Sequence, residues 1–560
     1  MLLAAVMFFT CSPKKEQADL IIHNAAIYSV DSAFTIYEAM AIKDGKIIAL
    51  NTNHNILDDF TAKDIIDLKG QAVFPGFIDA HCHFLGYGLG LKNVNLVNTR
   101  SFSEVIERVI KSSEKTGQGL DNLSLQDIKE KKKHAWIIGR GWDQNDWDRK
   151  QMPTKEKLDS LFPDRPVFLT RIDGHAALAN SEALRQAGIN MHTKVSGGEI
   201  IKAGNKLSGV LIDNAVGLVT AAIPATGKKE TAEALLGAQA NCLAAGLTTV
   251  DDAGLMKNDV DNIDELQRSG KLKIRVYAML HDSAPNYKYY LEKGPYKTER
   301  LNVRAFKFYA DGALGSRGAC LFKDYSDKPG WKGFLLTSME HFEKYAAILD
   351  QKGFQMNTHC IGDSALNMVM DIYMRYCNGQ SSHRWRIEHA QVITNEDFKN
   401  FSNDIIPSVQ PTHATSDMYW VQGRLGSERT KHAYAYKQLL DAAGVIALGT
   451  DFPVEDVSPF KTFFAAVARQ DSKGFPANGF QKENALTREQ TLRGMTIWGA
   501  YSNFEEKEKG SLEKGKLADF VILDRNIMTC GIKEVLKARV LATYINGEKV
   551  YSAKSSHESR

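Results

Sequence analysis

Pro75-Gly76-Phe77-Ile78-Asp79-Ala80-His81-Cys82-His83 is an apolar run that ends in two histidines one residue apart. In an extended backbone, residues i and i+2 face the same way. The spacing therefore lets His81 and His83 offer both imidazoles to one metal ion. Taken alone, the pair reads as two ordinary histidines near a turn. The apolar residues before it and the glycines after it (Gly86, Gly88, Gly90) change that reading. Together they describe a buried strand that delivers ligands to a loop-lined cleft. Cys82 turns to the opposite face of that strand and reads as a small packing residue. Whether the pair makes a site depends on what ends the other strands.

Downstream of His83 the chain repeats a strand-then-helix rhythm. Candidate strands run over 248–252, 274–280, 303–310, 354–359, 385–389, 405–410 and 445–450. Helix-like stretches separate most of them, such as 233–245, stopped by Gly246, and 364–376. With the opening strand this makes eight parallel strands, the α/β pattern of a (β/α)8 TIM barrel, whose active site lies at the carboxyl ends of its strands. The gap between the first two strands, about 95–235, is far longer than a βα connection and reads as a large insertion over the barrel mouth. Upstream, 18–74 carries short alternating strands with an Asp44-Gly45 hairpin signal, and 505–553 carries more, with Asn546-Gly547 as a second turn. Neither set is large enough for its own core, so the two chain ends are expected to join in one small composite β domain. The barrel then occupies 75–504.

The strand ends supply the rest of the constellation. The fifth candidate strand closes on His359, the sixth on His389 and the eighth on Asp451. Four histidines and a carboxylate converging on one face suit zinc or a similar divalent ion. The fourth strand carries Lys307 inside an apolar run. A buried ammonium is costly unless paired, and desolvation lowers its pKa. A neutral amine there can add carbon dioxide and become a carbamate that bridges two metals; the alternative is an ion pair with Asp311 or Glu388.

These motifs, together with Gly141-Trp142-Asp143, Asp173-Gly174-His175, Lys307 to Gly312 and Lys509-Gly510-Ser511-Leu512, resemble the amidohydrolase superfamily. The resemblance is to its family 3 branch, which includes N-substituted formamide deformylase-like proteins, and it spans 18–551. It implies a metal centre of His81, His83, carboxylated Lys307, His359, His389 and Asp451. In that pattern His81, His83 and Asp451 hold one ion, His359 and His389 the other, and the lysine bridges; relatives with one metal also exist. The function expected is hydrolysis of a non-peptide carbon–nitrogen bond in an amide, formamide or cyclic amide. Asp451 would act as general base and then general acid, and His175 would hold the carbonyl or oxyanion. Trp142, Trp147 and Tyr309 are candidates for the pocket wall, although core packing is the commoner role for any one of them. The rival readings are a one-metal deaminase or dipeptidase-like hydrolase, and a catalytically silent barrel used for binding.

Charge is nearly balanced, 70 basic against 67 acidic residues, so no electrostatic footprint for nucleic acid is expected. The seven cysteines are scattered without a Cys-x-x-Cys pair, which argues against a disulfide framework or a paired-thiolate zinc site. Residues 2–10 are apolar and precede Cys11, a pattern resembling a bacterial lipoprotein signal. On that reading 1–17 is a leader, Cys11 anchors the protein to a membrane, and the location is periplasmic; otherwise the leader is cytosolic. Residues 554–560 read as a disordered tail. The partners expected are a small-molecule substrate and, as one arrangement, a second copy in a homodimer.

Overall fold

The computed structural model describes residues 15–115, 135–377 and 383–553. Cys11, the Lys-rich stretch at 129–133 and the 554–560 tail lie outside them. Eight parallel strands form one sheet: β1 (Phe77–Cys82), β2 (Leu247–Leu255), β3 (Arg275–His281), β4 (Leu301–Tyr309), β5 (Gln355–Cys360), β6 (Trp385–His389), β7 (Ile405–Val409) and β8 (Ala447–Leu448). Each pairs with its sequence neighbour from β1 through to β8. Nearly every residue in these strands is buried, as expected when helices cover a parallel sheet.

The seam between β8 and β1 is closed differently. β8 has only two laddered residues, against the six expected over 445–450. Backbone hydrogen bonds from Asp451 to the His81 carbonyl (2.7 Å) and from His83 to the Phe452 carbonyl (2.8 Å) take over beyond its end. The buried carboxylate of Asp79 adds two more bonds, accepting from the Thr450 amide (2.8 Å) and hydroxyl (2.7 Å). Gly449 is needed here, because a Cβ would lie 2.5 Å from the His81 nitrogen.

Helices α1 (Lys257–Arg268), α2 (Ala284–Lys293), α3 (Met339–Lys352) and α4 (Asp363–Tyr373) follow β2, β3, β4 and β5 in turn. Only a 3-10 turn, Phe398–Asn400, separates β6 from β7. Between β1 and β2, six strands spread over 94–213 build a separate sheet. The helix that leads into β2 starts at Lys228 and packs on the Phe84–Gly90 helix closely enough that a Cβ on Gly88 would meet the Ala234 carbonyl at 2.2 Å. The last residues of the expected 95–235 stretch therefore belong to the barrel wall.

The chain ends do meet. Ala72–Pro75 pairs antiparallel with Phe520–Leu523, placing Pro75 opposite Phe520, and these strands belong to a six-stranded sheet that faces a four-stranded one. Ile22, Met40, Val73, Phe520 and Tyr544 fill the space between the two sheets. Both anticipated hairpins are present, with left-handed Asp44-Gly45 and Asn546-Gly547 at their tips, the geometry that two-residue hairpin turns demand. The sandwich is tied to the barrel by Arg275 on β3, which forks onto Asp519 with bonds of 2.6 and 3.1 Å. Among the described residues no helix is long and apolar enough to cross a membrane.

Candidate metal centre

The carboxyl ends of β1, β4, β5, β6 and β8 bring the expected ligands together. His81, His389 and Asp451 place one ligand atom each within 4.8 Å of one another, and all three are buried. The His83 Nε2 lies 3.4 Å from Asp451 Oδ1, and the His81 Nε2 lies 3.8 Å from the same oxygen. The His359 ring stands 4.5 Å from His389, and the His389 ring 4.8 Å from His81. Lys307 Nζ is 3.1 Å from His81 Nε2. Five of the six side chains, all but His81, line one cavity of about 400 Å³.

Two features suit this cluster to a cation. First, burial keeps the rings of His359 and His389 neutral, well below the ordinary histidine range, which is the ligating form. Second, Asp451 Oδ1 and His359 Nε2 are buried without any hydrogen-bond partner, a costly state for polar atoms that a divalent ion would relieve. Burial alone would raise Asp451. The close imidazole of His83, 3.4 Å away, and the nearby His81 and His413 outweigh it and hold the carboxylate well below its usual range. His389 and Asp451 also have left-handed backbones, with φ of 72° and 61°. Each costs about 1–3 kcal/mol in a non-glycine residue and persists where surrounding structure enforces it.

Partners behind the ligands fix their orientation. Glu388 Oε2 accepts from His81 Nδ1 at 2.6 Å, and Gln410 Oε1 does the same for His389 Nδ1 at 2.8 Å. These bonds leave Nε2 of each ring as the ligating atom. Lys307 pairs with neither expected carboxylate. Asp311 is occupied by the amides of Cys320, Ile361 and Gly362, and Glu388 belongs to His81. Desolvation accordingly lowers Lys307 to about 8, offset only in part by the charges of Glu388 and Asp451.

The inserted sheet contributes His175, whose ring lies 5.0 Å from that of His359. Burial disfavours its cationic form, but the 2.6 Å bond to Asp213 and that residue's charge outweigh burial and raise His175 above its usual value. Asp213 fits because Gly312 and Gly318 face it; a Cβ on Gly312 would come within 2.5 Å of its carboxylate. Of the aromatic candidates, only Tyr309 lines the cavity. Trp142 and Trp147 are instead core residues of the insertion, packed 5.9 Å apart, because the inserted sheet needs a hydrophobic centre of its own. His413, unremarked in the sequence, has its Nε2 3.7 Å from Asp451 Oδ2 and its ring stacked on His389. Its signal was present: it stands three residues after Gln410, just past the end of β7.

The amidohydrolase family model matches residues 64–551. The chain belongs to the amidohydrolase family. Along 95% of its length this amidohydrolase is 33% identical to Protein LONG AFTER FAR-RED 3 of Arabidopsis thaliana, covering 92% of that protein. It is 26% identical to the N-substituted formamide deformylase of Arthrobacter pascens over 97% of its own length and 100% of the relative's. Its fold superposes on a metal-dependent hydrolase from Pyrococcus horikoshii with a TM-score of 0.72 and 27% identity, covering 92% and 99% of the two chains. The amidohydrolase is thus a metal-dependent hydrolase on a (β/α)8 barrel.

Proposed function

We propose that this amidohydrolase cleaves a non-peptide carbon–nitrogen bond in a small amide, formamide or cyclic amide. The observation that carries the reading is the meeting, in one cavity, of an orphaned Asp451 oxygen, neutral histidines and Asp213-bound His175. The similarity to a formamide deformylase along the whole chain supports the bond type. His81, His83, His359, His389 and Asp451 would hold one or two divalent ions, zinc being the ion this nitrogen and oxygen donor set favours. When bound, such an ion supplies Lewis acidity that brings water to near-neutral pKa and polarises a carbonyl.

The chain's own residues handle the protons. Asp451 takes the proton of the attacking water and passes it to the leaving nitrogen as the carbon–nitrogen bond breaks. Its second oxygen lies 3.7 Å from His413 Nε2. His175, with Nδ1 engaged by Asp213, donates from its other nitrogen to the substrate oxygen as negative charge gathers there. His175→Phe is expected to lower kcat by about 10²–10³, the usual loss of one oxyanion donor, with metal content unchanged in elemental analysis. A loss of metal with no further loss of rate would reassign His175 to structure.

Lys307 is proposed to react with carbon dioxide: its neutral amine would form a nitrogen–carbon bond and release a proton, giving an anionic carbamate that could bridge two ions. Lys307→Ala should then lower the metal bound per chain, and intact mass of gently handled protein should carry the added carbon dioxide. Metal content equal to wild type in Lys307→Ala would remove the bridging role and favour a one-metal centre. The bond class itself is tested by screening N-formyl, N-acyl and cyclic amides with zinc-loaded protein. Turnover confined to aminopurines or dipeptides would replace it with the deaminase or dipeptidase reading.

A further inference from the structure

A second group of metal-ligating side chains sits at the opposite face of the barrel, where β6 and β7 begin. We propose that Cys377, His383 and Asp404 form a structural metal site that takes one zinc ion, separate from the centre at the carboxyl ends. Cys377 follows α4, His383 stands two residues before β6, and Asp404 immediately precedes β7. Their ligand atoms lie within 4.8 Å of one another.

Three observations carry the assignment. Asp404 is fully buried and its two oxygens are used differently. Oδ1 accepts the amides of His383 and Arg384, both at 2.9 Å, whereas Oδ2 has no hydrogen-bond partner among the described residues. That orphaned oxygen is aimed at His383, 3.8 Å from Nδ1, a separation too long for a hydrogen bond. In addition, the far nitrogen of the same ring, Nε2, donates to Asp350 Oδ1 on α3 at 2.7 Å. A carboxylate behind a histidine is the arrangement that orients the ring of a metal ligand and sets its tautomer.

The donor set names the ion. One sulfur, one nitrogen and one oxygen suit zinc, at about 2.3 Å for sulfur and about 2.0–2.2 Å for the others. Around a tetrahedral ion of that size the nitrogen and oxygen stand about 3.3 Å apart, so the present 3.8 Å needs only a small side-chain adjustment. His383 is partly exposed, and a water would complete the four ligands that zinc prefers. Binding would displace the Cys377 proton to solvent, and the resulting thiolate and Asp404 carboxylate would offset the ion's charge. The ion would fasten the end of α4 to the starts of two barrel strands that only a 3-10 turn connects.

Cobalt(II) substitution separates this site from the catalytic one, whose ligands contain no sulfur. Cobalt-loaded full-length protein should display a near-ultraviolet thiolate-to-cobalt charge-transfer band. The band should vanish in Cys377→Ala, with one fewer metal bound per chain and hydrolase activity near that of wild type. Asp404→Asn keeps the Oδ1 acceptor for both amides, so it tests the site even if Cys377→Ala folds poorly; its cobalt affinity should fall at least tenfold. Absence of the band in wild type, or an unchanged band and metal count in both variants, would overturn the proposal.

Discussion

Asp451→Asn is expected to lower kcat by about 10³ or more while leaving the fold intact. The magnitude follows from losing a positioned general base and acid, commonly about 10²–10⁴, at a residue that also contacts the ligand cluster. The fold should survive for a backbone reason. Asp451 has φ of 61°, and asparagine is among the few residues that adopt left-handed φ readily. Alanine there would confound chemistry with strain. Steady-state kinetics on a substrate from the amide screen, with circular dichroism and metal analysis of the same preparation, would check this. Full turnover by the Asn variant would refute the proton-transfer role.

Arg386→Leu should destabilise the barrel by about 3–5 kcal/mol, the range for breaking a buried pair from one side. Arg386 is fully buried and donates to Asp251 Oδ2 and to the Ala80 carbonyl, each at 3.0 Å, and to Asn503 Oδ1. Its guanidinium thereby joins β6 to β2, to β1 and to the chain just beyond the barrel. Removing it strands Asp251, already raised to about 6 by burial despite Arg386 and Asn503. The double variant Arg386→Leu/Asp251→Leu should recover part of the loss, because no charge is then left without a partner. Denaturant unfolding followed by tryptophan fluorescence provides the comparison. A single variant within about 1 kcal/mol of wild type would show that the network contributes little.

The meeting of the candidate ligands was legible because each of them terminates an apolar run. His81, His83, His359, His389 and Asp451 all stand where a strand ends, and a parallel barrel gathers strand ends on one face. What orients them was not legible, since it depends on residues that meet only in three dimensions. Glu388 stood in the sequence as an alternative partner for Lys307, yet it holds His81, 307 positions away. Asp213 carries no local signal for His175; the two meet because the inserted sheet folds back on itself. Likewise Trp142 and Trp147 had the composition of a pocket wall and the job of a core. β8 shrank to two residues because Asp79 and Thr450 close the seam with side-chain bonds, which no strand pattern reports.

That seam has a consequence for the making of the protein. Asp79 and Thr450 clasp across 371 positions of sequence, and the clasp sets the first two candidate ligands beside the last. A ribosome would expose His81 and His83 long before Asp451 existed, so for most of synthesis the nascent chain carries only a weak histidine pair. Tight metal capture has to await closure of this long-range contact, a slow step by topology. Loading of this centre is thereby deferred to the end of folding, and a chain terminated before Asp451 cannot complete it.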